Sequence, residues 1–355
     1  MKTTYNLQNL IKKIEPVDMT RIDEIQSQLD NLTKPQGSLG RLEELAMWFS
    51  LVTGKTKPVI KNKIIFAMAG DHGVTDEGVS AFPKEVTAQM VYNFLRGGAG
   101  VNVLAKHVGA RVIVVDMGVD HDFEPCSGLE IKKIGYGTNN MIQGAAMSRK
   151  EAEEAVIAGI ELVDKYRDEM DIIGTGDMGI GNTTPSAAIV SVITESDPAH
   201  VTGRGTGISD DSFKKKISVI RKAIAVNKPD KNDPLDVLSK VGGFEIAGIA
   251  GLILGAAINK IPVVIDGFIS TAGAMIAAEL APSVRDYIIA AHQSVEAGHV
   301  KMLDHLELDP ILNLNLRLGE GTGSALGISL VEAGVNILSQ MSTFTDAGVN
   351  EKSDK

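Results

Sequence analysis

The chain of 355 residues carries 35 Lys and Arg against 45 Asp and Glu, a formal net charge of −10, which disfavours coating of nucleic acid or of an anionic membrane, although one local pocket can still oppose the global sign. One cysteine, Cys126, excludes an intrachain disulfide and a thiolate zinc cluster. Aromatic residues at 4% beside 37 glycines disfavour a base-stacking platform and favour tight turns that bring backbone close to a ligand.

The first 31 residues are polar with a helical period: Leu7, Leu10, Ile11 and Ile14 share one face, and Ile22, Ile25 and Leu29 another, with Pro16 and Asp18 between them. The opening MKTTYNLQNLIKK has no apolar signal-peptide core, and the longest uncharged apolar run, Ile246 to Asn259, is too short for a bilayer. A cytoplasmic location is expected. The loop Thr33 to Gly40 leads into a helix predicted through Trp48. From residue 63, short apolar runs end in Gly or Asp and lead into helical stretches: Ile64 to Ala69, Val112 to Val115, Ile172-Ile173, Val263 to Ile265 and Ile288 to Ala290. Alternating strand and helix predicts an α/β fold, a three-layer Rossmann-like parallel sheet flanked by helices, and unbroken Val/Ile runs predict strands buried on both faces. The expected division is an α/β domain over 60–320, a small helical lobe from 1–59 and 321–345 that includes a helix from Ser324 to Met341, and a polar tail over 346–355.

In open parallel sheets ligands bind beyond the carboxyl ends of the strands. That rule selects Gly70 to Gly73, Gly174 to Thr184, Gly203 to Gly207, Asp266 to Phe268, His292 to Glu296 and Arg317 to Ser324. Three glycine-rich turns near helix starts suit a phosphate, whose oxygens backbone N–H groups and a helix N-terminus stabilise. Gly174, Gly176 and Gly179 match G-x-G-x-x-G, the dinucleotide fingerprint. The following run Ala187 to Ile193, with Pro185 suited to a first helical turn, reads as the crossover helix, which leaves no second strand before Glu195 to carry the ribose acid. A dinucleotide-dependent oxidoreductase is therefore the weaker reading.

His292, Glu296 and His299 stand at metal-compatible spacing on a possible helix, but without a further ligand nearby they read as a cap region and a solvated face. Asp71 and His72 are adjacent, so they point apart and form no dyad, and His72 is a candidate for the cleft wall. Glu320, between Gly319 and Gly321, fits two roles equally. Burial there would make it a general base, and its place before a helix start would make it a capping acid. No G-x-S-x-G elbow or P-loop is present.

The segments Lys34 to Glu43, Asp71 to Val74, Gly176 to Thr184, Leu238 to Phe244, Ile265 to Phe268 and Arg317 to Gly321 occur in the order found in one family. Over about residues 20 to 340 the chain resembles the nicotinate-nucleotide–dimethylbenzimidazole phosphoribosyltransferases, the CobT family. The resemblance implies transfer of phosphoribose from nicotinate mononucleotide to 5,6-dimethylbenzimidazole or a related base, giving α-ribazole 5′-phosphate and nicotinate for the nucleotide loop of cobalamin. It implies small-molecule substrates, no metal, no redox cofactor, no nucleic acid or membrane partner, and a homodimer.

The family's catalytic glutamate matches Glu320, with Asp177 as a supporting acid where many members have Glu. Phosphate and ribose contacts carry over to Met178, Gly179, Ile180, Gly181, Asn182, Thr183, Gly205, Thr206, Gly207, Lys216, Gln293, Ser294 and Val295. The base pocket carries over to Phe82, Gln89, Met90 and Leu318. Two departures bear on which base is preferred: Ala81-Phe82 precedes Pro83-Lys84 where some members have serine, and Met90 aligns with a pocket glutamine, with Gln89 beside it. A nucleotide-binding regulatory subunit or pseudoenzyme of the same fold is the non-enzymatic alternative.

Overall fold

The structure, a computed structural model, describes residues 6–350. The sequence-expected strands all form: β1 Lys63–Gly70, β2 Arg111–Gly118, β4 Ile172–Met178, β5 Val263–Ile265 and β6 Ile288–Ala290. One strand has no counterpart among the expected ones, the three-residue β3 Leu129–Ile131 at the sheet edge. All pairings are parallel, in the order β3-β2-β1-β4-β5-β6, the doubly wound order whose direction reverses between β1 and β4.

Alternation along the strands feeds two cores. Ile64, Phe66 and Met68 of β1 join Ile113, Val115, Ile173, Val263 and Ile265 on one face. Helices Arg149–Tyr166, Thr183–Ile193, Phe244–Ile258 and Phe268–Leu280 cover that face. Ile65, Ala69, Val114, Ile172 and Val264 face the other way, beneath helices Val86–Leu95, Gly100–His107, Arg41–Thr53 and Thr322–Gln340. Burial on both faces is why these strands read as continuous apolar runs. The long apolar run of the sequence is the Phe244–Ile258 helix, buried nearly all round, as a helix apolar on every side must be. No helix among the described residues is long and apolar enough to cross a membrane.

The two ends of the chain meet. Leu32 bridges Thr343, Thr33 N–H donates to the Ser342 carbonyl, and the Arg41–Thr53 helix packs along Thr322–Gln340. That last helix also lies on the sheet through Ala325, Ile328 and Val331, so the terminal segments complete the second helical layer. Of the polar tail, residues 346–350 include the end of a short helix Phe344–Ala347, and 351–355 fall outside the described residues.

Candidate active site

A cleft of about 660 Å³ opens at the carboxyl ends of β4, β5 and β6, beside the reversal point of the sheet. β4 runs further than the apolar pair Ile172-Ile173 suggests and ends at Met178, so Gly174 and Gly176 lie inside the strand rather than in a strand-to-helix turn. Their role is packing. A Cβ on Gly176 would lie 2.3 Å from the Glu320 carbonyl, and one on Gly174 2.8 Å from Ser324 Cβ. These glycines let the start of the last helix sit directly on the strand, which removes the dinucleotide fingerprint as a phosphate turn. The true turn is Gly179 to Asn182, with Gly181 at φ +88°, opening into the Thr183–Ile193 helix.

Glu320 occupies the left-handed region at φ +66°, between Gly319 at +78° and Gly321 at +99°. A non-glycine residue there is strained and persists only where its surroundings hold it. The capping role falls to another acid. Asp266, after β5, accepts the N–H groups of Gly321 (2.8 Å) and Gly323 (2.7 Å) at the start of the Thr322–Gln340 helix. The Glu320 carboxyl faces the cleft beside the first residues of the Gly100–His107 helix, with its Oε2 buried. Burial raises its pKa and Asp266 adds to the rise, while the backbone N–H groups of Val101 and Gly100 work against it.

Asp177 lies beside it at the end of β4, held by Asn182 Nδ2 at 2.9 Å, with Oδ1 unpartnered. Burial first, then Asp266, push its pKa well above the usual carboxylate range; the Asn182 hydrogen bond pulls the other way, and Glu245 and Glu320 add smaller upward contributions. The two acids thus share one dry, electronegative wall, the setting that turns a carboxylate into a proton acceptor near neutral pH.

The opposite end of the cleft rests on a buried cation. Lys216, fully buried on the Asp210–Asn227 helix, donates to Thr183 Oγ1 at 2.7 Å and lies against Gly205. Burial lowers its pKa to about 8, partly offset by Glu296. Glu296 Oε1 accepts the Gly205 N–H at 3.0 Å. Thr206 reaches across the mouth, its Oγ1 accepting the Ala81 N–H at 3.0 Å, which ties the anion loop to the segment carrying Phe82.

Of the expected contact residues, Asp177 to Thr183, Gly205, Thr206, Ser294, Phe82, Met90, Leu318 and Glu320 all line the cleft. Lys216 reaches it through Thr183. Gly207 and Val295 line a smaller side cleft with Arg204 and Arg317. Gln293 stands behind the wall, its N–H given to the Leu312 carbonyl. Gln89 is exposed, whereas Met90 faces inward, because successive helical residues point about 100° apart. Gly267, Phe268 and Arg317, selected only as parts of strand-end segments, line the cleft, and sequence reasoning missed Val79, Ser80, Val86, Ile269, Asn315 and Leu316 as lining residues. Phe268, in the Ile265 to Phe268 motif, and Arg317, in the Arg317 to Gly321 motif, carried a signal; the apolar ones had none.

The segment 292–298 is not helical, and the helix begins only at His299. His299 is neutral and fully engaged: Nε2 pairs with Thr271 Oγ1 at 2.9 Å and Nδ1 accepts the Ser294 N–H at 2.8 Å. Burial, with His292 beside it, lowers its pKa to about 3. His292 instead lines the cleft and faces Asp266 at 3.4 Å. His72 is no part of the cleft wall; it turns beneath it to Glu245.

A cleft at the sheet reversal, with a buried lysine at one end and two raised carboxylates at the other, is the kind of site in which an α/β enzyme holds a small anionic ligand. A family model described as "Phosphoribosyltransferase" matches residues 14–349. A curated relative from Geotalea uraniireducens is 61% identical over 97% of this chain and 98% of its own length, and one from Geobacter sulfurreducens is 59% identical over the same shares. Both are named nicotinate-nucleotide–dimethylbenzimidazole phosphoribosyltransferase. A solved structure under that enzyme's name from Thermus thermophilus superposes with TM-score 0.89 at 40% identity, covering 94% of this chain and all of that one. The chain belongs to the nicotinate-nucleotide–dimethylbenzimidazole phosphoribosyltransferase family.

Proposed function

We propose that the protein transfers phosphoribose from nicotinate mononucleotide to a 5,6-dimethylbenzimidazole-type base, forming α-ribazole 5′-phosphate and nicotinate. The observation that carries this reading is Glu320, a strained, buried carboxylate of raised pKa, set between an apolar wall and an anion end in one cleft. The 5′-phosphate goes to Thr183, Gly205 and buried Lys216, and the ribose lies along Met178 to Asn182. The planar base rests against Phe82, Met90 and Leu318. The pyridinium of the mononucleotide is already a good leaving group, so the protein's work is alignment of two rings and a ribose. One ring nitrogen of the base attacks C1′ from the face opposite nicotinate, the C1′–nicotinate bond breaks with its electron pair, and configuration inverts. Glu320 takes the proton from the other ring nitrogen, and Asp177, one methylene shorter than the family's usual glutamate, supports that proton's environment.

A half-exposed Phe82 and the inward Met90 shape the base side, and the base preferred among benzimidazoles, purines and phenols follows from them. The homodimer and the cytoplasmic setting belong to the same reading. Purified protein with nicotinate mononucleotide and a panel of bases tests it by chromatography. Nicotinate release that requires 5,6-dimethylbenzimidazole is expected. No release with any base in the panel would leave the regulatory-subunit reading instead.

A further inference from the structure

Beneath the cleft lies a buried pair that the transfer chemistry does not use. His72 follows β1, and its Nε2 lies 2.8 Å from Oε1 of Glu245, in the first turn of the Phe244–Ile258 helix. The residues are 2% and 0% exposed, and neither lines the cleft. Three glycines from three separate sequence motifs close on them. A Cβ would lie 2.9 Å from Glu245 Oε2 on Gly70, 3.2 Å from His72 Nε2 on Gly179, and 2.5 Å from His72 Cε1 on Gly243. Gly179 also passes so close to β1 that its Cβ would lie 2.4 Å from the Gly70 carbonyl. The turn that presents Met178 to Asn182 to the nucleotide therefore rests on the imidazole and on the end of β1.

The electrostatics connect the same groups. Burial pulls His72 down, but Glu245 and Asp71 outweigh it and the net shift is upward. Glu245 in turn is one of the three acids, with Asp266 and Glu320, that face Asp177 and add to the rise burial gives it, against Asn182. An ionised pair in a dry pocket is stable only as a pair, since losing one partner strands the other's charge.

We propose that His72 and Glu245 form a positioning pair of the transferase site, seating the Met178 to Asn182 turn and setting the field felt by Asp177. This rests on the phosphoribosyl-transfer reading. The pair touches no substrate and acts through Gly179 and through Asp177.

The test compares wild type with His72→Gln, Glu245→Gln and the double variant in nicotinate release across pH 5 to 9. His72→Gln strands the Glu245 charge and is expected to raise the KM for nicotinate mononucleotide about tenfold, with the KM for the base unchanged. The double variant, a neutral amide pair of similar volume, should recover most of that loss. Glu245→Gln keeps an oxygen for His72 but removes one negative neighbour of Asp177, so a limb of the pH profile to which Asp177 contributes should move to lower pH. A merely structural pair would lower the unfolding midpoint and leave both the KM ratio and that limb in place, which would overturn the proposal. Should His72→Gln fail to fold, Glu245→Gln carries the pH readout alone. A wild-type protein that transfers nothing would refute the transfer reading itself, a separate outcome.

Discussion

Lys216→Met sets stability against function at one buried atom. Folding lowers the Lys216 pKa from 10.5 to about 8, a difference of about 2.5 units. At about 1.4 kcal/mol per unit, keeping this ammonium buried costs the unliganded fold roughly 3 kcal/mol at neutral pH. The sign follows from proton counting: between pH 8 and 10.5 the unfolded chain holds more protons, so the wild-type fold gains stability as pH rises through that window and carries the full cost below it. Methionine keeps most of the stem's volume without the charge, but leaves Thr183 Oγ1 without its 2.7 Å donor, a loss of about 1 kcal/mol. The variant should therefore be about 2 kcal/mol more stable than wild type at pH 7. It should also bind the mononucleotide at least tenfold more weakly, since a hydrogen bond to a charged group is worth about 1.5–3 kcal/mol. Urea unfolding at pH 7 and pH 10 reads the first effect, and calorimetric titration with nicotinate mononucleotide reads the second. A variant that is less stable at pH 7 and binds the nucleotide as tightly as wild type would refute the assignment of Lys216 as a destabilising phosphate ligand.

Glu320→Gln removes the proposed proton acceptor while keeping the side chain's size, and steady-state nicotinate release should show kcat down by about 10²-fold or more with the KM for the mononucleotide little changed. Gly176→Ala places a methyl 2.3 Å from the Glu320 carbonyl, so thermal unfolding should report a loss of about 1–3 kcal/mol, and turnover should fall because the catalytic backbone is displaced. His299, with its pKa lowered to about 3 from 6.5, stays neutral in the fold while the unfolded chain protonates. Stability attached to it is complete above pH 6.5 and is lost as pH falls toward 3, by up to roughly 5 kcal/mol. His299→Gln should flatten that part of the stability–pH curve, measured by urea midpoints between pH 4 and 7.

The strands with β-branched runs were plain in the sequence because both faces of the sheet are dry, and short apolar runs without a period are what such burial produces. The second half of β4 was not. Gly174, Gly176 and Asp177 have poor strand character, and the two glycines stand there because the start of the Thr322–Gln340 helix lies so close that a side chain has no room. The short β3 failed for a simpler reason: three residues with Glu130 in the middle make no run. His292, Glu296 and His299 had helical spacing, yet Ser294 and Gly298 interrupt the segment and the helix starts only at its last member.

At the site, Glu320 stood out through its flanking glycines, which mark a left-handed turn. The helix start that spacing offered Glu320 to cap is capped instead by Asp266, which takes its N–H groups from 55 and 57 positions away in the chain. Pairings of that kind, like His72 with Glu245 across 173 positions, follow from the sheet order and have no local sequence signal. Ordered motifs gave the resemblance, and the packing accounts for the glycines in several of them: they are the places where strand ends, turns and helix starts cross at backbone distance.

The central claim, inverting transfer onto a base nitrogen, is tested most directly by the anomeric configuration of the product. The reaction of nicotinate mononucleotide with 5,6-dimethylbenzimidazole would be followed by proton NMR at the C1′ position, with nicotinate quantified in the same tube. The account predicts one equivalent of nicotinate for each α-anomeric ribazole 5′-phosphate formed. A β-anomeric product, or nicotinate released with no ribazole at all, would contradict it.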